Sequence, residues 1–426
     1  MSDKPQDSHL AINGGPPAKQ RRDPPMFPGG MMIDQEEEQA VLETLRSKRL
    51  FRFQGPTPGP SQVEEFENEY AAMLGVPYAL AVSSGTASLI CGLASLGVGP
   101  GDEVIIPAYT WASCAAAVMT AGAIPVLAEI DASLTIDPAD VERKITPYTK
   151  AIMPVHMRGV ACRMDEVLAI ARNHNLRVIE DGAQAVGGSY HGRRLGSMGD
   201  VGCFSLQFHK IITAGEGGIM TTSDHTLLQR AAMFHEVDAA RRYGAAEDQS
   251  ILGLNLRMPE LVAAVLRVQL RRLEGLLAAM RQRKRAIIDG ITGVCRRKGI
   301  VMQDMPDPEG DASVALFLLM PSQALALKVA EALQAENIGA AIPYRPGIVN
   351  LHVYPYWTAM MLQHTWSANG GPWRWAQRPI SYSVDMCPRS LDLLGRAIHF
   401  DVNPLYSEQD VAEIVAGINK VLGALA

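Results

Sequence analysis

The chain has 426 residues, a formal net charge of -6, 47% hydrophobic and 20% charged residues. That length predicts two domains around a large core, and the acidic balance gives neither a nucleic acid nor an anionic membrane a reason to bind. Six scattered cysteines without a CxxC pair fit reduced thiols in a cytoplasmic protein rather than a disulfide framework.

Residues 1–30 read as an irregular arm, with Gly14-Gly15-Pro16-Pro17, Pro24-Pro25 and no apolar stretch of the secretory kind. Amphipathic helices are predicted over Asp34–Ser47 and Ser61–Leu74. A strand over Tyr78–Ser83 runs through Ser84-Gly85 into a helix, Thr86–Leu96. Free N–H groups at that helix start, with Gly85 allowing close approach, suit a phosphate, although Ser and Thr also simply cap helices.

The uncharged stretch Val104–Ala128 is long enough to raise a membrane question. It divides instead into a strand (Glu103–Pro107), a helix (Trp111–Ala121) and a strand (Ile124–Ile130), as a buried βαβ unit does. Trp111 follows the first of these strands, where an indole can stack on a flat ring or fill a core. Further strands are expected at Ala151–Val155 and Arg177–Glu180, with a helix Met164–His174 between them, and then at Val201–Leu206 and Gly218–Thr222. These short runs alternating with helices predict an α/β domain, its mostly parallel seven-stranded sheet lying between helices.

Two segments of that domain carry chemistry. Val178-Ile179-Glu180-Asp181-Gly182-Ala183-Gln184 delivers a carboxylate to a strand end, and Ser205-Leu206-Gln207-Phe208-His209-Lys210 leads into Thr213-Ala214-Gly215-Glu216-Gly217-Gly218. A carboxylate and a lysine at the ends of buried strands are what pyridoxal 5′-phosphate requires. The lysine forms a Schiff base, and the carboxylate keeps the pyridine nitrogen protonated. Gln184 is placed to reach the ring hydroxyl and Ser205 the phosphate, while His209 is either an acid or base or a structural imidazole. A helix-capping Asp181 is the ordinary alternative.

Beyond this domain, a long helix from Pro259 to about Gly290 leads to a smaller unit. That unit has a strand over Ser313–Met320 and helices over Gln323–Asn337 and Glu408–Leu425, while Arg267–Arg285 reads as a solvated helix face. The resulting division is an arm (1–30), a large cofactor-binding domain (31–275) and a small α+β domain (276–426). Residues 344–383, rich in aromatics and proline, are read as a substrate-covering loop.

Together these motifs resemble the fold-type I pyridoxal phosphate enzymes of the DegT/StrS sugar aminotransferase group, from about Leu10 to the C-terminus. Pro107-Ala108-Tyr109-Thr110-Trp111 and Gly253-Leu254-Asn255-Leu256-Arg257-Met258 complete the likeness. The resemblance implies a homodimer with two shared active sites, in which Asn255 reaches the neighbouring subunit's cofactor phosphate. It implies Lys210 as anchor and proton shuttle, Asp181 on the pyridine nitrogen and Trp111 on the ring. Gln184 falls near the ring hydroxyl, and Gly85, Thr86 and Ser205 near the phosphate.

The implied reaction carries an amine from glutamate or glutamine to a keto-sugar, polyol or cyclitol, in amino-sugar, envelope polysaccharide or antibiotic biosynthesis. Sugar dehydratases of the group carry histidine in place of the lysine, and the register here keeps Lys210 with His209 before it. A dehydratase or lyase acting on a sugar or cyclic ketone is the alternative. Leu50-Phe51-Arg52-Phe53 and the C-terminal segment from Cys387 to Leu405 look most like 8-amino-3,8-dideoxy-octulosonate transaminases. Arg158 and Arg345 are candidates for a substrate carboxylate, a surface ion pair being the other reading. His209 and His352 are further substrate candidates, and no metal is expected.

Overall fold

The computed structural model describes residues 9–56, 58–237, 239–368 and 370–426, so residues 1–8 of the expected arm lie outside the described residues. In chain order the first strands are β1 Tyr78–Val82, β2 Glu103–Pro107, β3 Ile124–Ala128, β4 Thr149–Ile152 and β5 Arg177–Asp181. A small hairpin of β6 Ser189–Tyr190 and β7 Arg193–Arg194 precedes β8 Val201–Ser205 and β9 Gly218–Thr222. The large sheet has the order β1-β9-β8-β5-β4-β2-β3 and is parallel throughout, except that β9 runs against both neighbours. This is the expected α/β sheet of seven strands.

Its helices are α1 Gln35–Ser47, α2 Gln62–Leu74, α3 Gly85–Ser95, α4 Ser113–Thr120, α5 Pro138–Lys144, α6 Met164–Asn173 and α7 His225–His235. Strand periodicity splits the core between the two faces. Val104 and Ile106 join α3, α4 and α7 on one side, while Ile105 joins α5 and α6 on the other. Val104–Ala128 is therefore β2, α4 and β3, and among the described residues no helix is long and apolar enough to cross a membrane.

Next comes α8 Glu260–Lys298, which continues past the expected stop near Gly290. A Cβ on Gly290 would lie 2.5 Å from Val415 Cγ1, so this glycine lets a second helix approach and does not end its own. The helix closes at Gly299, in the left-handed conformation with φ +65°. Strands β10 Val301–Met302, β11 Ala315–Leu319 and β12 Ala397–Asp401 then form an antiparallel sheet. The remaining helices are α9 Gln323–Ala335, the single turn α10 Thr358–Met361, α11 Pro388–Arg396 and α12 Glu408–Leu425.

Three features depart from the sequence reading. First, α4 begins at Ser113 rather than Trp111, because Thr110 and Ala112 donate their N–H groups to the carbonyls of His352 and Leu351. Second, the arm is tied down: Glu336 accepts from the N–H groups of Ala11 (2.9 Å) and Ala18 (2.7 Å), and Gly29 N–H donates to the Lys210 carbonyl.

Third, only the first part of the expected covering loop 344–383 meets the site, at Leu351 and His352. Its later part runs to the opposite end of the sheet, where Tyr382 donates to the Pro125 carbonyl (2.8 Å) and Arg378 pairs with Glu103 (2.6 Å). There it covers the start of the edge strand β3, whose outward carbonyls would otherwise lack partners. Trp373, bonded to Tyr382, belongs to this remote part.

Candidate functional site

The C-terminal ends of β2, β5 and β8 bring Trp111, Asp181 and Ser205 to one edge of the sheet, where open α/β sheets form their ligand crevices. Asp181 is the last residue of β5 and is buried. Its Oδ1 accepts from the Ala183 N–H (2.9 Å) and its Oδ2 from the Cys114 thiol (3.0 Å). Thr110 Oγ1 lies 3.0 Å from the same sulfur, so Thr110, Cys114 and Asp181 form a chain. Burial, followed by the charge of Asp181, pushes the Cys114 thiol well above its ordinary range and keeps it a donor.

Lys210 stands in the turn after β8, which bends back as Thr213 Oγ1 donates to the Leu206 carbonyl and accepts from the Gly215 N–H. Burial lowers the pKa of the Lys210 amine, with Asp181 opposing and Arg158 assisting that shift. The amine is thus more readily deprotonated than an exposed lysine, as a nucleophile must be.

Gly85 opens α3, with Ser84 capping it by accepting from the Ala87 N–H. A Cβ on Gly85 would sit 2.5 Å from Ser205 Cβ and 3.0 Å from Ser205 Oγ. The bare glycine, the N–H groups at the helix start and the Ser205 hydroxyl form a cradle that a methyl group would fill. Its donor set suits a phosphate, and Asp181 and Lys210 suit the two ends of a pyridine aldehyde. The residues present therefore fit pyridoxal phosphate.

Arg158 has a left-handed backbone (φ +53°), and its N–H donates to Gln184 Oε1 (3.3 Å). Its guanidinium lies 3.9 Å from Asp401, and its Nε is buried without a hydrogen-bond partner. The His352 ring is 4.9 Å from that of Trp111, itself 44% exposed and so open to a further ring. Burial, then Arg158, Lys210 and His399, lowers His352 to about 3, which leaves it a neutral imidazole.

Two predicted substrate residues lie apart from this group. His209 is exposed, its ring against Phe27 (5.0 Å) and its Nδ1 3.1 Å from Gln207 Oε1. Arg345 is exposed in a tight turn closed on Ile348, where its carbonyl accepts from Tyr356. Asn255 is also exposed, in an extended segment held when Leu254 and Leu256 donate to the carbonyls of Phe234 and His235. Leu252 beside it is 90% exposed. Cys114, His399 and Asp401 were not anticipated; only the fold brings them to the site.

The DegT/DnrJ/EryC1/StrS aminotransferase family model matches residues 31–369. The chain belongs to that family. It is 33% identical to the spore coat polysaccharide biosynthesis protein SpsC of Bacillus subtilis (strain 168), over 92% of this chain and 95% of that one. It is 34% identical to the L-glutamine:2-deoxy-scyllo-inosose aminotransferase of Streptoalloteichus tenebrarius, over 97% of each.

Among solved structures, 3-amino-5-hydroxybenzoic acid synthase matches with a TM-score of 0.77 and 27% identity, covering 95% of this chain and all of that one. An aminotransferase from Psychrobacter cryohalolentis matches with a TM-score of 0.76 and 27% identity, covering 95% and 99%. The chain is accordingly an aminotransferase that uses pyridoxal 5′-phosphate, with the fold of that enzyme class.

Proposed function

We propose that this aminotransferase moves the amino group of glutamine or glutamate to a keto-sugar or cyclitol, with Lys210 as its catalytic amine. The observation carrying this reading is the lysine of lowered pKa in the turn after β8, electrostatically coupled to the buried Asp181. Full-length similarity to a glutamine-dependent cyclitol aminotransferase supports the choice of donor and acceptor class. When bound, the cofactor would supply a reactive aldehyde carbon for the amine and a protonated ring as an electron sink.

Lys210 Nζ anchors the cofactor and, once released, takes the proton from the donor's α-carbon; in the second half it returns a proton to the acceptor's former carbonyl carbon. Asp181 would receive the pyridine N–H, and the Cys114 thiol holds its carboxylate in place. Gly85, Thr86 and Ser205 would hold the phosphate, Trp111 would cover the ring, and Gln184 would serve the ring hydroxyl. Arg158, with a buried unpartnered Nε, binds a carboxylate of donor or acceptor. His352, neutral, can accept from or donate to a substrate hydroxyl.

A homodimer with shared sites belongs to this proposal. The exposed Leu252, Leu254 and Asn255 are its contact, and Asn255 reaches the partner's phosphate cradle. Division into an arm, a large domain to residue 275 and a small domain, and a cytoplasmic location, complete the reading. The test is the donor half-reaction: glutamine or glutamate should convert the bound cofactor stoichiometrically to its amine form, and Lys210→Ala should abolish this. Conversion at near-normal rate in that variant, or dehydration of a sugar without any donor, would overturn the reading.

A further inference from the structure

A cavity of about 290 Å³ lies between the N-terminal arm and the site-facing side of β12. Its polar lining is Asp23, Gln334, His399, Asp401, Asn403 and Tyr406. His399 and Asp401 share a face of β12 because alternate strand residues do, and the His399 ring stacks on Phe317 at 4.9 Å. Asp401 Oδ1 lies 3.1 Å from His399 Nε2 and 3.9 Å from Arg158 Nη1. Arg158 in turn influences Lys210, Tyr109 and His352. Its backbone N–H bonds Gln184 (3.3 Å) in the segment that follows Asp181, so Arg158 links the Asp401 wall of this cavity to the cofactor side of the site.

We propose that this cavity receives the uncharged, hydroxylated skeleton of the acceptor, and that it rejects acceptors carrying a phosphate or nucleoside diphosphate at that end. The proposal rests on the amine-transfer reading and deepens it. Among the described residues, no lysine or arginine lines the cavity. Its two carboxylates come from opposite walls, Asp23 from the arm and Asp401 from β12.

Asp23 Oδ2 is fixed by the Gly339 N–H (2.6 Å), and its Oδ1 faces Lys19 at 3.5 Å. Burial works to raise the Asp401 carboxyl, but the His399 contact and Arg158 prevail and hold it below the usual range. A sugar hydroxyl donates to such oxygens and accepts from an imidazole or amide, satisfying both kinds of group. A phosphate oxygen at neutral pH can only accept, and it would face two carboxylates whose neighbouring cations, Lys19 and Arg158, stand outside the lining and are already engaged with them. One anionic group is tolerated, at Arg158. The volume also lies at the lower end of the range for small-molecule sites, about 300–1,000 Å³, which suits a monosaccharide or cyclitol skeleton.

The test uses the full-length holoenzyme loaded with the donor's amine, then mixed with a free keto-inositol or with a nucleoside-diphosphate 4-keto-hexose. Re-formation of the aldehyde form of the cofactor is followed by absorbance. The free ketone should be used with a kcat/KM at least 100-fold above the nucleotide-linked one. Asp401→Asn and Asp23→Asn, on opposite walls, should each raise the KM for the free ketone about tenfold or more. Either variant that melts with wild type is sufficient for this test.

Equal or better use of the nucleotide-linked ketone by the wild type overturns the proposal. So does a KM within twofold of wild type in both variants. The donor half-reaction is read on the same samples. Its absence in the wild type counts against amine transfer itself, whereas its presence with unchanged acceptor selectivity counts only against the cavity.

Discussion

Glu180 precedes Asp181 in β5 but points to the other face, and replacing it with glutamine is the sharpest probe of how the carboxylate strand is held. The side chain is wholly buried. Oε2 accepts from the Gly196 N–H (2.8 Å) and lies 3.1 Å from His156 Nε2. Oε1 accepts from the N–H groups of Met198 (2.7 Å) and Gly199 (2.6 Å). Glutamine has the same shape but puts an NH₂ group where one oxygen stood, so two donors lose their acceptor and face another donor. Each orphaned buried donor costs about 1–3 kcal/mol, which sums to about 4 kcal/mol. Typical native stability is about 5–15 kcal/mol, so the loss is a large share of it.

Urea unfolding followed by circular dichroism, at one fixed protein concentration, measures this directly. With a slope of about 3 kcal/mol per molar, the midpoint should fall by about 1 M or more. Adding His156→Gln to the Glu180→Gln background should cost less than the two single losses predict, because one orphaned donor has been removed. Burial raises the Glu180 pKa, but the hydrogen bond and charge of His156 and the turn N–H groups outweigh it and hold the folded value below the ordinary one. The stabilisation is therefore fully present above the unfolded value of about 4.3 and is lost as pH falls through the folded one, so the penalty of the variant should shrink on acidification. A midpoint shift below about 0.3 M at neutral pH, from a slope of that size, would refute the reasoning.

Further outcomes follow from the site. Gly85→Ala should weaken pyridoxal phosphate binding at least about tenfold, by equilibrium titration of the apoprotein, since its Cβ meets Ser205 at 2.5 Å; an unchanged affinity contradicts the cradle. Cys114→Val should move the pH dependence of the bound cofactor's absorbance by about one to two pH units, the worth of one hydrogen bond to a charged group. Cys114→Ser should restore it, and a profile unmoved by valine removes Cys114 from the positioning of Asp181. With His352 lowered to about 3 by burial first and then by its cationic neighbours, its ring resonances should stay constant between pH 5 and 8. Its neutral form is the one that the fold favours, so protonation opposes folding progressively as pH falls below about 6.5. A midpoint above pH 5 would mean that the imidazole is not enclosed as described.

Much of this was legible in the residues because local patterns and the fold agree. Short β-branched runs, with Asp181 and Ser205 at their ends, are enough to place a carboxylate and a hydroxyl at one sheet edge. Lys210 stands out because a glycine-rich turn follows it. What the sequence concealed depends on contacts between distant segments. Cys114 reads as a small core residue, and only the meeting of α4 with β5 sets its thiol on Asp181.

His399 and Asp401 lie in a strand that the periodicity did not reveal, and Asp23 in an arm that looked irregular. The arm gains its order from Glu336, more than three hundred residues away. The aromatic loop misled for a related reason. Its composition suits a lid, but the start of the edge strand β3 takes up Tyr382 and the start of β2 takes up Arg378 instead. Gly290 shows the same limit on a smaller scale, since a helix-ending glycine and a close-packing one look alike until the neighbouring helix is placed.

The central claim is that Lys210 is the amine to which the cofactor is bound and through which protons move. Borohydride reduction of the holoenzyme, followed by digestion and mass spectrometry, tests it in one measurement. The account predicts a single phosphopyridoxyl adduct on the peptide containing Lys210, lost when the protein is first incubated with glutamine or glutamate. An adduct on another lysine, or one that survives the amino donor, would contradict it.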